Sequence, residues 1–158
     1  MDVPKELERA AHAYRGNKKY LAKLRARPPR DLDERIHAEH HAAFARIDCL
    51  ECANCCKTTS PIFRDIDIDR LARHLGIRPA ELVERYLHLD DEHDYVLNVA
   101  PCPFLGADNY CSVYEARPRA CREYPHTDRK NMLPLLPLTL RNSLVCPAVG
   151  EVLRGLRE

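Results

Sequence analysis

The segment from Cys49 to Cys56 reads CLECANCC and carries four cysteines in eight residues. Cys49, Cys52 and Cys55 are separated by two residues each, and Cys56 follows Cys55 directly. A two-residue gap lets a tight turn aim successive sulfurs at one centre, with backbone amides pointing at them. Four further cysteines stand downstream, at Cys102, Cys111, Cys121 and Cys146. Thiolates at this density are ligands for zinc, which takes four donors at tetrahedral corners, or for an iron–sulfur cluster. No histidine lies within the early cluster. Zinc and iron therefore both start from all-thiolate sites, and the choice between them stays open. His126 and the carboxylates near Cys121 are candidates to complete either.

All eight cysteines are candidate metal ligands. The triplet C-x2-C-x2-C is spaced like the start of a bacterial ferredoxin run, and the Cys-Pro pairs at Cys102 and Cys146 repeat the end of one. This tilts the reading toward iron. Cys55 and Cys56 complicate any single centre, because adjacent side chains diverge in both helix and strand. The two are not expected to ligate the same ion. Either the eight thiols serve two centres, or one of the pair is not a ligand, and the spacing does not fix the partition. A disulfide framework is the competing reading. It is disfavoured because the charged N-terminus has no apolar secretory core, which makes a reducing cytoplasm the expected location.

Other features are weaker. Asp65, Asp67 and Asp69 alternate in DIDID, but a calcium loop would need glycine next and glutamate at its end, and Arg70 and Gly76 stand there. Acidic residues at a helix N-terminus are the expectation. His37, His40 and His41 stand at a spacing that can form a metal site, but they read as a solvated helix face. Arg117, Arg119 and Arg122 surround Cys121 in sequence and are candidates to offset thiolate charge. No Gly-rich phosphate loop and no G-x-S-x-G elbow occurs, and no residue stands out as a nucleophile.

The elements that must position these thiols are mostly helical. Apolar steps of three and four residues predict a helix over Val3 to Arg27, with Gly16-Asn17 as a candidate interruption and Pro28-Pro29 as its stop. A second is expected from Asp31 or Asp33 to near Ile47. A short helix over Asp67 to Leu75 should end at Gly76, and Pro79 should open the next. DYVLNV is the clear strand candidate, PAVGEVLRGL a closing helix, and the stretch up to Arg141 reads as irregular and rich in proline and cysteine. The fold expected is a mainly α, small single domain whose Cys/Pro-rich middle is organised by metal, with a short strand or hairpin. It divides into an N-terminal helical segment (1–47) and a cysteine-cluster core (49–146) within one metal-binding domain (1–158). The net charge of +1, from 25 basic and 24 acidic residues, argues against a nucleic-acid partner. No apolar run reaches membrane-span length.

CLECANCC followed by PCPFLGADNYCSVYEARPRACREYP resembles the YkgJ-type cysteine-cluster proteins. The resemblance rests on Cys49, Cys52, Cys55, Cys56, Cys102, Pro103, Phe104, Leu105, Cys111, Ser112, Tyr114, Glu115, Arg117, Pro118, Cys121, Arg122, Tyr124 and Pro125. It departs at Ala53, where that family usually has glycine, and mildly at Val113. Flagellin lysine methylases resemble the cysteine pattern more distantly, in longer chains. The resemblance implies a metal-binding protein holding zinc or an iron–sulfur cluster, and it leaves the specific activity unassigned. The alternative is a metal-cluster-dependent enzyme, either redox or like a protein lysine methyltransferase.

Overall fold

The computed structural model describes residues 1–158. In chain order the helices are α1 (Val3–Ala26), α2 (Leu32–Phe44), α3 (Cys49–Cys52), α4 (Asn54–Thr58), α5 (Asp65–Leu75), α6 (Pro79–Tyr86), α7 (Arg119–Glu123), α8 (Leu136–Asn142) and α9 (Pro147–Gly155). Strands β1 (Leu87–Leu89) and β2 (Tyr95–Leu97) lie between α6 and α7. The protein is mainly helical with one short hairpin, as the sequence implies. The chain divides into two compact units, Met1–Cys52 with Pro125–Glu158, and Ala53–Tyr124.

The first unit is a helical assembly. α1 starts where the Asp2 carboxylate accepts from the Lys5 amide at 3.1 Å, with proline in the first turn. It runs through Gly16-Asn17 without interruption. Asn17 is buried, and its Oδ1 accepts from Arg157 Nη1 at 3.0 Å, so a poor helix former is retained for a contact made far along the chain. α9 packs against both α1 and α2. Ile36 of α2 and Val149, Val152 and Leu153 of α9 are wholly buried. Gly150 lets α9 approach Ala10 closely: a Cβ there would stand 3.4 Å from the alanine Cβ. Residues 127–132 are fastened to α2 by polar contacts. The Asp33 carboxylate accepts from the amides of Asn131 and Met132 at 2.7 and 2.8 Å. His37 Nε2 meets the Arg129 carbonyl at 2.9 Å, and His40 Nδ1 meets the Thr127 hydroxyl at 2.7 Å. His37 and His40 thus act as struts, and His41 alone of the three is exposed.

α8 corrects the sequence reading of this region as irregular. Its proline falls in the first turn, where no amide donor is needed and the fixed φ suits a helix. Proline inside a helix would break it, so the proline content of the stretch hides this helix.

The second unit packs α5, α6 and the hairpin around Phe63, Ile68, Leu71, Leu82, Leu87, Leu97, Phe104 and Val113. α5 ends at Gly76, whose φ of 69° is left-handed, as the glycine signal predicts. α6 opens at Pro79, and its continuation turns into β1, which pairs antiparallel with β2 through Leu87–Leu97, His88–Val96 and Leu89–Tyr95. The Leu97 amide donates to the Ser60 hydroxyl at 2.8 Å, which ties the segment after α4 to the sheet.

Ala53 precedes α4 with a φ of 47° and is buried. A left-handed φ costs an L-residue with a Cβ roughly 1–2 kcal/mol, which explains why glycine suits this position. Ala53→Gly is expected to stabilise the protein by up to ~1 kcal/mol, once the added freedom of the unfolded glycine is set against the relieved strain. Denaturant unfolding of the two proteins at matched metal content checks this; a destabilised glycine variant would show that the left-handed turn is not a source of strain.

Candidate metal centre

The structure sorts the cysteines by unit. Cys56, Cys102, Cys111 and Cys121 lie together in the second unit, with Cys55 beside them. Cys49, Cys52 and Cys146 lie together in the first. None of the eight is in a disulfide.

In the second unit, the backbone brings the late cysteines to Cys56. The Cys102 amide donates to the Cys56 carbonyl at 2.8 Å. Leu105 and Cys111 form an antiparallel bridge, closed by Gly106 N to Tyr110 O and Ser112 N to Phe104 O, each at 2.8 Å. This loop returns Cys111 toward Cys102, and both pack on the apolar core. α7 carries Cys121, and its first turn is fixed by the Cys121 amide donating to the Pro118 carbonyl at 3.0 Å.

The electrostatics follow from that arrangement. Burial pushes the Cys121 thiol up to about 12, and the charges of Cys56, Cys102 and Cys111 push it the same way. Burial likewise raises Cys102 and Cys111, each against the opposing pull of amides: Phe104 and Leu105 at Cys102, Val113 at Cys111. Cys56 goes the other way, down to about 7, chiefly because the Cys55 thiol donates to its sulfur. The Arg117 guanidinium favours the anion at Cys56, Cys111 and Cys121. It is held in place by stacking on the Tyr114 ring, 3.4 Å from the centroid, and by Nε donating to the Tyr114 carbonyl at 2.7 Å. Of the three arginines near Cys121, it is the one that favours the anion at these three sulfurs. Arg119 pairs with Glu123 at 2.5 Å, and Arg122 donates to the Glu115 carbonyl at 2.9 Å.

In the first unit, the Asp48 carboxylate accepts from the Leu50 amide at 2.8 Å and so starts the short helix carrying Cys49 and Cys52. Cys146 stands at the N-cap of α9. Its sulfur is pushed up to about 12 by burial, and by the charges of Cys49 and Cys52. The amides of Val149 and Ala148 face it and favour the thiolate, at longer range than a capping hydrogen bond. The Cys-Pro pair has a local physical meaning at both places. Proline after cysteine removes one amide, and the two following amides point back at the sulfur.

No three His, Cys, Asp or Glu side chains converge on a common bonding-distance point. The donor set in the second unit nonetheless fits a thiophilic metal by its chemistry. Four half-buried sulfurs sense one another, three are neutral thiols, and amides and one guanidinium stand ready to offset thiolate charge. Sequence spacing alone missed the contribution of Asp67. This buried carboxylate of α5 accepts from the Arg119 amide at the start of α7, at 3.0 Å. The alternation of DIDID does not distinguish it from its exposed neighbours.

Neither a curated protein nor a solved structure matches the chain. Residues 48–138 match the CxxCxxCC family, described as a putative zinc- or iron-chelating domain. That span takes in seven of the eight cysteines and ends before Cys146. With more than half of its length inside the match, the protein belongs to the CxxCxxCC family.

Proposed function

We propose that the protein is a metal-binding protein in which Cys56, Cys102, Cys111 and Cys121 hold one zinc or iron centre as thiolates. The observation that carries this is the mutual electrostatic reach of those four thiols within one unit. Cys49, Cys52 and Cys146 serve a separate centre. Cys55 and Cys56 do not ligate one ion; Cys55 lends its S–H to Cys56. A centre closed by four protein thiolates has no open position for substrate, which favours metal holding or electron handling over substrate activation. Bound zinc would cross-link the loops, and an iron–sulfur cluster would add one-electron transfer. The whole chain acts as one metal-binding domain in a reducing cytoplasm, where its thiols persist. The metal is its partner, with no nucleic acid or membrane involved; no helix is long and apolar enough to cross a membrane. Elemental analysis and the absorption spectrum of anaerobically purified protein test the reading. Stoichiometric zinc or iron supports it, and protein purified and reconstituted without either would sink it.

The pH dependence has a definite sign. Cys102, Cys111 and Cys121 are raised and enter as neutral thiols, whereas metal takes thiolates. Binding to this set should release on the order of three protons at neutral pH, and affinity should rise with pH. Titration of zinc into reduced protein in buffers of different ionisation enthalpy counts them. Uptake with no proton release would contradict the assignment.

A further inference from the structure

Asp67 sits in the first turn of α5 and is 1% exposed. Both carboxylate oxygens are occupied. Oδ2 accepts from the Arg64 amide at 3.1 Å. Oδ1 accepts from Arg70 Nη2 at 2.7 Å and from the Arg119 amide at 3.0 Å. Arg70 Nη2 also donates to the Arg117 carbonyl at 2.8 Å. The Arg70 Nε is buried without a partner, so this guanidinium gives up hydration to reach the two oxygens.

The two contacts grip residues 117–119 from opposite sides of Pro118. That segment does two things for the thiols. Arg119 begins α7, which has no cap of its own and carries Cys121 in its first turn. Arg117 presents the guanidinium that favours the anion at Cys56, Cys111 and Cys121. The carboxylate is thus a cap supplied to α7 from 52 residues away, and its ion pair holds the carbonyl of the residue whose charge faces the sulfurs. A helix-starting aspartate alone would need neither contact.

We infer that Asp67, with Arg70, is the positioning residue of the four-thiol centre: it sets Cys121 and Arg117 in place for metal. This rests on the reading of Cys56, Cys102, Cys111 and Cys121 as one centre. Partners behind metal ligands typically change affinity about 10–100-fold when removed.

The test uses the reduced full-length protein, with cobalt(II) as a spectroscopic probe and a chelator competing for it. Asp67→Ala is expected to weaken cobalt binding at least about tenfold and to diminish the thiolate-to-cobalt absorption. Asp67→Asn, which keeps an acceptor for the Arg119 amide, should recover part of both. Leu82→Ala removes a buried side chain from the same unit's core and serves as the stability control; its folded protein should bind cobalt as the parent does. If Asp67→Ala does not fold, Asp67→Asn and Arg70→Met carry the comparison. Parent-like affinity and spectrum in the folded Asp67 and Arg70 variants would overturn the inference and leave the four-thiol reading intact. Equal losses in Leu82→Ala would reduce Asp67 to a stability role and overturn it too. Failure of the parent protein to bind cobalt or zinc through thiolates would overturn the four-thiol reading itself, and this inference with it.

Discussion

Cys121→Ser is expected to empty the centre of the second unit while leaving metal bound at the other cysteines. Cys121 is the most strongly raised thiol of its set, and it stands at the start of a helix held by Asp67 and Pro118. A serine hydroxyl is a poor ligand for zinc or iron, and the remaining three sulfurs cannot close a tetrahedron. The loss should exceed the roughly 100-fold upper range seen when only a supporting residue is removed. Cys146→Ser should spare this centre, because the charges acting on Cys146 come from Cys49 and Cys52. Chelator competition on both variants measures the contrast. Equal losses in the two would mean that the eight cysteines form one interdependent site.

Chelation of the reduced protein should unfold the Cys/Pro-rich part of the second unit. From Asn98 to Pro118 the backbone has turns and one short 3-10 helix, Tyr114–Ala116, and no longer element. Few side chains there join the core beyond Phe104, Val113 and Ala116. Structural zinc contributes about 10–16 kcal/mol of apparent binding free energy in small thiolate and imidazole sites. A loss on that scale matches the whole stability of a typical domain, about 5–15 kcal/mol. Amide exchange should rise sharply across residues 98–123. α1, α2 and α9 should keep their protection, because wholly buried apolar residues such as Ile36, Val149, Val152 and Leu153 hold them. Unchanged protection from Asn98 to Glu123 would show that the apolar core alone orders these loops.

The regular elements were legible in the sequence where periodicity and punctuation agreed. Leu7, Ala10, Ala11 and Tyr14 mark α1, Gly76 stops α5, and Pro79 opens α6. Where they conflicted, reading failed: α8 lies in a stretch that reads as irregular, because its proline suits a helix only in the first turn and packing decides where that turn starts. The cysteines as a set were plain, but their grouping was not. Spacing joins Cys49, Cys52 and Cys55 into one triplet. The fold places Cys56 with Cys102, whose amide it binds, and Cys146 with Cys49 and Cys52. Such pairings are decided by packing across scores of residues, which local spacing does not encode. The same holds for Asp67, whose partner amide is 52 residues away.

The most direct test of the central claim is native mass spectrometry of anaerobically purified protein, comparing the parent with two multiple variants. In one, Cys56, Cys102, Cys111 and Cys121 are all serine; in the other, Cys49, Cys52 and Cys146 are. A four-thiol centre in the second unit requires the first variant to lose one centre's mass of metal and the second to retain it. Identical metal content in the parent and the first variant would contradict it.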